Sequence, residues 1–445
     1  MSSGLDHAFA RASRARLAAF EPFAAGGSVR SIVGLLIEGE GVPAQLGSVC
    51  RVEPAGGGPA CEAEVVGFRE GRLLLMPLSP PRGVGPGARL RLLHHRAEAV
   101  AGPACLGRVL DGLGRPLDGG PPLDAAERVP LHRAPESALG RERVHRPLDL
   151  GVRAINALLT PGRGTRIGVF SGSGVGKSTL LGQIARHTAA DVIVIALVGE
   201  RRREVREFVE RDLGPALARS VVVVATSDEA PLHRVRAAFA ATAVAERFRD
   251  DGRDVLLIMD SLTRFCTALR EIGLATGEPP TTRGYTPSVW STLPRLLERA
   301  GTCAGGGSVT GIYSVLVEGD DLNEPVADAA RSLLDGHVSL SRALAERGHF
   351  PAIDVLASVS RVMPDVTRPA HQELARRARE ALATYRGAED LISIGAYAAG
   401  SNPAIDAARR LQEPLQRFLR QGVDERASLE ESLAALRSAL GEAAP

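Results

Sequence analysis

The chain has 445 residues, of which 44% are hydrophobic and 24% charged, and its formal net charge is +2. These values are ordinary for a globular protein of about three domains and exclude a largely disordered chain. The near-neutral charge and the aromatic content of 4% argue against a surface that binds nucleic acid. No apolar run reaches about 18 residues, so a membrane span is not expected, and the five scattered cysteines favour a reducing compartment.

The N-terminal quarter of the chain changes character at a Gly-Gly pair. Residues 1–25 are expected to form an amphipathic helix, because Leu5, Phe9 and Phe20 lie near helical spacing. From residue 26 to residue 98, short β-like runs alternate with glycine and proline turns. This pattern is typical of a small β-barrel.

The central region, residues 99–369, begins with the turn-rich stretch GRVLDGLGRPLDG and a proline-rich connector. It then alternates between helices and apolar strands, with strands predicted at 166–170, 191–198, 220–226, 254–260 and 308–317. Continuous apolar strands indicate a parallel sheet that is buried on both faces. The region is therefore predicted to be α/β, with a nucleotide at the carboxyl ends of the strands.

The remaining residues, 370–445, are predicted to form a helical domain. Helices are expected at 371–386 and 403–421, joined by the segment GAYAAGSNP. A last helix carries Leu429, Leu433 and Leu436 at helical spacing.

The strongest chemical signal is the phosphate-binding loop (P-loop) SGSGVGKST, residues 171–179, between a predicted strand and a predicted helix. Its Lys177 is the single lysine among 54 basic residues. A compact ammonium suits a cradle of main-chain N–H groups, whereas a planar guanidinium does not. We predict that Lys177 contacts the β- and γ-phosphates and that the Ser178 hydroxyl binds Mg²⁺. The usual motif begins with a glycine where this chain has Ser171. The predicted nucleotide-binding residues are Gly172, Ser173, Gly174, Val175, Gly176, Lys177, Ser178 and Thr179.

Two carboxylates follow predicted strands. Asp260 ends the strand VLLIMD and is expected beside the P-loop strand, where it could hold Mg²⁺ through water or cap the next helix. Glu200 follows the strand DVIVIALV and could polarise the water that attacks the γ-phosphorus. An acid in an arginine-rich loop could equally form a solvated ion pair.

Two further residues gain meaning only in context. Arg361, in ASVSRVMP, could be an ordinary surface arginine or could reach the γ-phosphate of a neighbouring subunit in a ring. Phe350, in GHFPAID, could stack on adenine or belong to the core.

From about Gly107 onward, the chain resembles the catalytic subunits of the rotary ATPase superfamily, and most closely the family of flagellar protein-export ATPases. Injectisome secretion ATPases and the β subunit of ATP synthase are similar as well. Seven stretches carry the resemblance, in this order: GRVLDGLGRPLDG, FSGSGVGKSTLLGQIAR, ADVIVIALVGER, VLLIMDSLTRF, GEPPTTRGYTPSVWSTLPRLLERAG, VLVEGDDLNEPVADAARSLLDGH and FPAIDVLASVSRVM.

The resemblance implies a RecA-like P-loop ATPase core between an N-terminal β-barrel and a C-terminal helical domain, assembled as a homohexamer that binds ATP and Mg²⁺. It also implies residue roles. Glu200 is the catalytic carboxylate, Asp260 the Mg²⁺-linked aspartate and Arg361 the trans-acting arginine finger. Arg201 matches the arginine that follows the catalytic carboxylate, Arg264 matches a phosphate-side arginine, and Phe350 matches the adenine-stacking aromatic. Arg202 departs from the family, which has glycine there, and would strain the loop if that position requires a positive φ.

The function that the resemblance implies is ATP hydrolysis that powers release and export of flagellar proteins, at the cytoplasmic face of the cell membrane. The implied partners are a peripheral regulator or an acidic membrane surface at the N-terminal helix, export substrates and chaperones at the C-terminal domain, and the export gate. The N-terminal helix could also be purely structural. Alternatives are an injectisome ATPase, a proton-translocating catalytic subunit, a ring-shaped RNA helicase and a non-catalytic nucleotide-binding subunit. The low aromatic content disfavours the helicase, and Glu200 disfavours the non-catalytic subunit.

Overall fold

The structure is a computed structural model that describes residues 26–123, 126–134, 136–137, 139–317 and 324–442. The N-terminal helix expected at residues 1–25 lies outside the described residues. The chain divides into two compact units between Ala97 and Glu98. Among the described residues, no helix combines the length and the apolar composition that crossing a membrane requires.

The first unit is a closed antiparallel β-barrel of six strands, which confirms the predicted barrel. Its core contains the fully buried side chains of Val29, Ile37, Val52, Leu75 and Leu90. The strands are β1 (Gly26–Val33), β2 (Leu36–Glu40), β3 (Val49–Glu53), β4 (Cys61–Arg69), β5 (Arg72–Pro77) and β6 (Arg89–His94). They follow the order β1-β2-β5-β4-β3-β6 around the barrel, and β6 pairs with β1 to close it.

The second unit begins with the first half of the α/β region. In chain order they are β7 (Glu98–Ala101), β8 (Arg108–Asp111), β9 (Glu127–Pro130), α1 (Arg153–Leu158), β10 (Arg166–Ser171), α2 (Lys177–His187), β11 (Val192–Glu200), α3 (Arg202–Glu207), β12 (Ser220–Thr226), α4 (Pro231–Asp250) and β13 (Asp254–Asp260). A π-helical turn and a 3₁₀ turn fill residues 208–219 between α3 and β12.

The second half of this unit completes the sheet and adds the C-terminal helices. Its elements are α5 (Leu262–Thr276), α6 (Pro287–Leu297), β14 (Gly301–Thr302), β15 (Ser308–Leu316), α7 (Pro325–Leu333), β16 (Gly336–Ser339), α8 (Arg342–Glu346), β17 (Val359–Ser360), α9 (Met363–Val366), α10 (Pro369–Ser393), α11 (Pro403–Leu419) and α12 (Leu429–Ala439).

The central sheet has the order β17-β16-β10-β15-β13-β11-β12-β8. The pairs from β16 to β8 are parallel, while β17 and the short β14 run antiparallel to their neighbours. Strands β11, β12 and β13 are almost wholly buried, as continuous apolar runs require when helices cover both faces of a sheet. The α/β prediction is therefore confirmed.

One expectation about the sheet was wrong. Strand β13, which ends in Asp260, is not next to the P-loop strand, because β15 pairs with both β10 and β13 and lies between them. The turn-rich stretch 107–119 also contains β8, which pairs with β12 at the edge of the sheet. Strand neighbours depend on long-range pairing, which local sequence does not specify.

The C-terminal helices pack on the α/β core within the same compact unit. Leu415, Phe418 and Leu436 share one hydrophobic core with Leu158 of α1 and Ile184 of α2. Helix α12 begins with a capping box, in which Ser428 and Glu431 each bond the other's main-chain N–H. The helical region thus contacts the helix that carries the P-loop lysine.

Candidate active site

The P-loop joins the carboxyl end of β10 to the start of α2. Gly174 and Gly176 have φ values of +78° and +90°, which glycine adopts without the strain that a Cβ would add. Val175 between them is buried and anchors the loop in the core, whereas Ser178 is exposed. The loop therefore presents the N-terminus of α2, with its main-chain N–H groups and positive dipole end, to an anion.

The ammonium of Lys177 lies between two carboxylates. Its Nζ donates to Asp260 and is 3.7 Å from Oε1 of Glu200. Burial lowers the pKa of Lys177, but the charges of Asp260 and Glu200 outweigh burial and hold that pKa above its ordinary value. Lys177 is therefore a charged donor at neutral pH, as a phosphate ligand must be.

Asp260 is held from two sides at the end of β13. Its side chain is buried and accepts a hydrogen bond of 2.5 Å from Oγ of Ser314 in β15, in addition to the bond from Lys177. The residue that caps α5 is Ser261, whose Oγ accepts from the main-chain N of Arg264 at 3.3 Å. The cap is thus the residue after Asp260, and the Asp260 carboxylate points into the Lys177 pocket.

Sequence reasoning did not single out Ser314. The signal was present as a hydroxyl residue within the apolar run SVTGIYSVLV. A buried hydroxyl needs a hydrogen-bond partner, but the identity of that partner depends on β15 lying beside β13.

Glu200 ends β11, and its side chain is 20% exposed. Burial raises the pKa of the Glu200 carboxyl to about 8, the charge of Asp260 adds to this effect, and Lys177 opposes it. A hydrogen bond shared with Glu204 raises the pKa of Glu200 further and lowers that of Glu204. The ion-pair partner of Glu200 is Lys177 rather than a loop arginine. A carboxyl with a pKa near neutrality, inside a phosphate pocket, has the properties of a general base.

The two arginines predicted to act beside the phosphates differ in their surroundings. Arg201 is 81% exposed and pairs with Glu204 at 3.5 Å. The stem of Arg264 packs against Gly199, since a Cβ on that glycine would lie 2.8 Å from Cβ of Arg264. Arg264 is exposed, and its guanidinium has no hydrogen bond or ion pair with another residue that the structure describes. Both cations are therefore open to an anionic ligand.

The strain considered for Arg202 does not arise. Glu70 and Arg283 are the non-glycine residues with positive φ in the described part of the chain. Arg202 instead begins α3 and pairs with Asp228 at 2.8 Å, across the loop that follows β12. The positive φ in this loop belongs to Gly199, at +74°.

Phe350 lies against the P-loop. Two of its ring carbons, Cδ1 and Cε1, are 3.7 Å from the position that a Cβ on Gly176 would occupy. The residue is 47% exposed, so it is not a core phenylalanine. An exposed aromatic face beside a phosphate cradle is placed to stack on a base.

Arg361 lies far from the P-loop of its own chain. Its main-chain N donates to O of Asp335, whose own N donates to O of Arg166 at the start of β10. The P-loop follows the other end of β10, about 16 Å away along a strand of this length. The exposed Arg361 guanidinium bonds the carbonyl of Arg331 at 3.3 Å. The structure therefore does not bring Arg361 together with Lys177, Glu200 and Asp260.

The oxygen donors of the site are of the kind that Mg²⁺ prefers. Ser178 offers an exposed hydroxyl, and Asp260 offers a carboxylate. Within the described ranges, no cluster of three or more His, Cys, Asp or Glu residues could cage a metal. The site fits an ion that takes most of its ligands from phosphate oxygens and water, which is how Mg²⁺ binds beside nucleotides.

A parallel sheet, a P-loop after one strand, and two carboxylates after neighbouring strands define a P-loop ATPase of the RecA type. Residues 151–360 match the family model "ATP synthase alpha/beta family, nucleotide-binding domain", and residues 367–438 match "T3SS EscN ATPase C-terminal domain". A curated relative, "Flagellum-specific ATP synthase" of Bacillus subtilis (strain 168), is 50% identical over 93% of this chain and 95% of its own length. A "Type 3 secretion system ATPase" of Sinorhizobium fredii (strain NBRC 101917 / NGR234) is 48% identical, over 92% of this chain and 90% of its own.

A solved structure is similar along nearly the whole chain. The assembled ATPase EscN, in complex with its central stalk EscO from the type III secretion system of enteropathogenic E. coli, has a TM-score of 0.86 and 42% identity. The match covers 93% of this chain and 100% of that chain. The chain belongs to the family of flagellar and type III secretion ATPases and is an ATP-hydrolysing enzyme.

Proposed function

We propose that this ATPase powers flagellar protein export, with Lys177, Glu200 and Asp260 as the centre of its hydrolytic site. The observation that carries the hydrolytic site is the pocket in which the Lys177 ammonium lies against both carboxylates. Such a pocket has a cation for the phosphates, an acid for a metal and an acid for water. The 50% identity to a flagellum-specific ATP synthase favours the flagellar role.

In the proposed cycle, nucleotide binding transfers Lys177 from Asp260 to the β- and γ-phosphates. The N-terminal N–H groups of α2 hold the phosphate chain, and the Phe350 ring stacks on the adenine. Ser178 and, through water, Asp260 would hold Mg²⁺, which when bound neutralises charge on the phosphate oxygens.

Glu200 then acts on the attacking water. The raised pKa of Glu200 in the nucleotide-free pocket makes its carboxylate basic enough to accept a proton as the water attacks the γ-phosphorus. Arg201 follows Glu200 in the sequence, and Arg264 packs against Gly199 just before it. We propose that both arginines stabilise the negative charge of the transferred phosphoryl group.

A ring of identical subunits supplies what one chain lacks. Arg361 lies at the amino end of β10, so it cannot serve the P-loop at the other end of the same strand. We propose that a homohexamer places Arg361 of one subunit at the γ-phosphate of the next, where such an arginine accelerates transfer by about 10³–10⁵-fold. The relative EscN is described as assembled.

The proposed partners contact the N-terminal segment and the C-terminal helices. The helix expected at residues 1–25 is proposed to contact a peripheral regulator at the cytoplasmic face of the cell membrane. Leu391 in the last turn of α10 is 49% exposed, and Ile394 just after that helix is 76% exposed. Such apolar exposure suits contact with export substrates, chaperones or a stalk. EscN, the relative, binds its central stalk EscO. The export gate at the membrane is the proposed recipient of the cargo.

The test replaces the chromosomal gene by a Lys177→Ala variant and measures export of flagellar filament protein into the medium. We expect export and filament assembly to be lost while the protein accumulates normally, because the variant cannot bind the triphosphate. Normal filament export would contradict the proposal. Loss of virulence-type effector secretion with intact filaments would instead support the second candidate, an injectisome ATPase, which the 48% identity to a type 3 secretion relative favours.

A further inference from the structure

Gln421 is a buried amide just beyond the end of α11, and its side chain is 5% exposed. Its Oε1 accepts from the main-chain N of Arg153 at 2.7 Å. Its Nε2 donates to the carbonyl oxygens of Gly151 and Glu425, both at 2.8 Å. Both donors and the acceptor oxygen of the amide therefore have partners, and two of these partners belong to the segment that begins α1.

The main chain of Gln421 reaches the nucleotide side of the molecule. Its N donates to the carbonyl oxygen of Phe350 at 3.0 Å. The Phe350 ring lies against Gly176 of the P-loop. The main chain of Phe350, which carries the half-exposed ring, is thus hydrogen-bonded to Gln421, whose side-chain amide has all its partners.

The segment 421–425 also holds the helix that carries Lys177. Gln183 in α2 is 2% exposed, and its Nε2 donates to the carbonyl oxygens of Gly422 at 3.1 Å and of Glu425 at 3.3 Å. One short segment of the C-terminal helical region therefore spans from the P-loop helix to Phe350. No step of the proposed hydrolysis uses either contact.

We propose that Gln421 is a positioning residue for nucleotide binding, which holds the Phe350 ring where it stacks on the base. The amide fixes the segment 421–425 on α1, and the bond to the Phe350 carbonyl transmits that position to the ring. The proposal rests on the adenine-stacking role assigned to Phe350 above. If Gln421 has this role, recognition of the base depends on how the C-terminal helices pack on the ATPase core.

The experiment compares the binding of ATP with that of inorganic tripolyphosphate, which lacks the base. Each is titrated into the full-length protein in the presence of Mg²⁺, and its affinity is measured by isothermal titration calorimetry. In Gln421→Leu, ATP should bind about five- to tenfold more weakly, within the range of one base–aromatic stacking contact. Tripolyphosphate should bind as it does to the unchanged protein. In steady state, KM for ATP should rise by the same factor while kcat stays within about twofold.

A matched control is Gln372→Leu, because Gln372 is a half-buried amide in α10 whose Nε2 donates to the carbonyl oxygens of Pro364 and Thr367. It should leave both affinities unchanged. The variant Gln421→Glu keeps the acceptor oxygen and loses the donors, and should weaken ATP in the same selective way. If Gln421→Leu does not fold, the ATP and tripolyphosphate affinities of Gln421→Glu test the positioning role instead.

The variant Phe350→Ala separates the two proposals. If it leaves ATP affinity unchanged, the stacking role of Phe350 fails. If it weakens ATP binding and Gln421→Leu does not, only the positioning role fails. Equal weakening of ATP and tripolyphosphate in Gln421→Leu would reveal a purely structural role and overturn the inference. The double variant should bind ATP no more weakly than Phe350→Ala, and additive losses would contradict action through Phe350.

Discussion

Replacing Glu200 by glutamine tests the role of the carboxylate at the end of β11. The substitution keeps the size of the side chain and removes the acidic group 3.7 Å from Nζ of Lys177. We expect turnover to fall by about 10²–10⁴-fold, the usual contribution of a positioned general base. ATP should still bind, because Lys177 and the N-terminal N–H groups of α2, which we propose hold the phosphates, are untouched.

The magnitudes distinguish lost chemistry from lost binding. A rate loss of this size corresponds to about 3–5 kcal/mol in the activation barrier. In its ionised form the Glu200 carboxylate would repel the triphosphate. It would also compete for Lys177, which it attracts by about 4 kcal/mol at 3.7 Å in an effective dielectric of 20. The Kd for ATP should therefore stay equal or fall in Glu200→Gln, so that weaker binding cannot explain the lost turnover.

The pH dependence gives a second signature. Burial, together with the charge of Asp260, raises the pKa of Glu200 to about 8 in the nucleotide-free protein. Since the base acts as a carboxylate, kcat/KM should rise with pH up to about 8, and this rise should vanish in Glu200→Gln. The folded state also binds the Glu200 proton more tightly than the unfolded state does. Wild-type stability should thus fall as pH rises from the ordinary pKa of glutamate towards 8, and the variant should lack that loss.

The assay measures phosphate release at several protein concentrations, beside titration with a fluorescent ATP analogue. Glu207→Gln is a matched control, because Glu207 lies on the outer face of α3 and pairs with the exposed Arg203 at 2.7 Å. The control should turn over as the wild type does. Wild-type turnover in Glu200→Gln, or a loss of ATP binding there, would refute the general-base reasoning.

Three further variants test the rest of the site. Lys177→Ala should abolish ATP binding in fluorescence titration, and retained binding would remove the P-loop assignment. Arg361→Ala should form rings in sedimentation yet lose cooperative hydrolysis; mixing it with inactive Lys177→Ala subunits should restore part of the activity, whereas an inactive mixture would contradict action between neighbours. Ser314→Ala removes a buried bond to the Asp260 carboxylate and should lower the free energy of unfolding by about 2 kcal/mol, within the range for hydrogen bonds to charged groups. Unchanged denaturant unfolding would show that this bond contributes nothing.

The local motifs of this chain were readable from sequence because they consist of contiguous residues. A glycine-rich loop with its lysine between a strand and a helix specifies its own turn, and continuous apolar runs specify buried strands. Strands β11, β12 and β13 therefore lie where the apolar runs predicted them, and Glu200 and Asp260 are the last residues of β11 and β13. The barrel and the C-terminal helices were predicted from the same kind of local pattern, and the resemblance to a known family implied both as well.

Only the tertiary structure decided which distant residues meet. Four features join residues that are far apart in sequence. They are the position of β15 between β10 and β13, the hydrogen bond from Ser314 to Asp260, the packing of Phe350 near Gly176, and the hydrogen bond from Gln421 to Phe350. Each depends on strand order or on helix packing, and many sequences with the same local patterns could pair differently. The chain's own residues therefore determine the chemistry of its phosphate loop, while the position of Arg361 away from that loop is a property of the folded sheet.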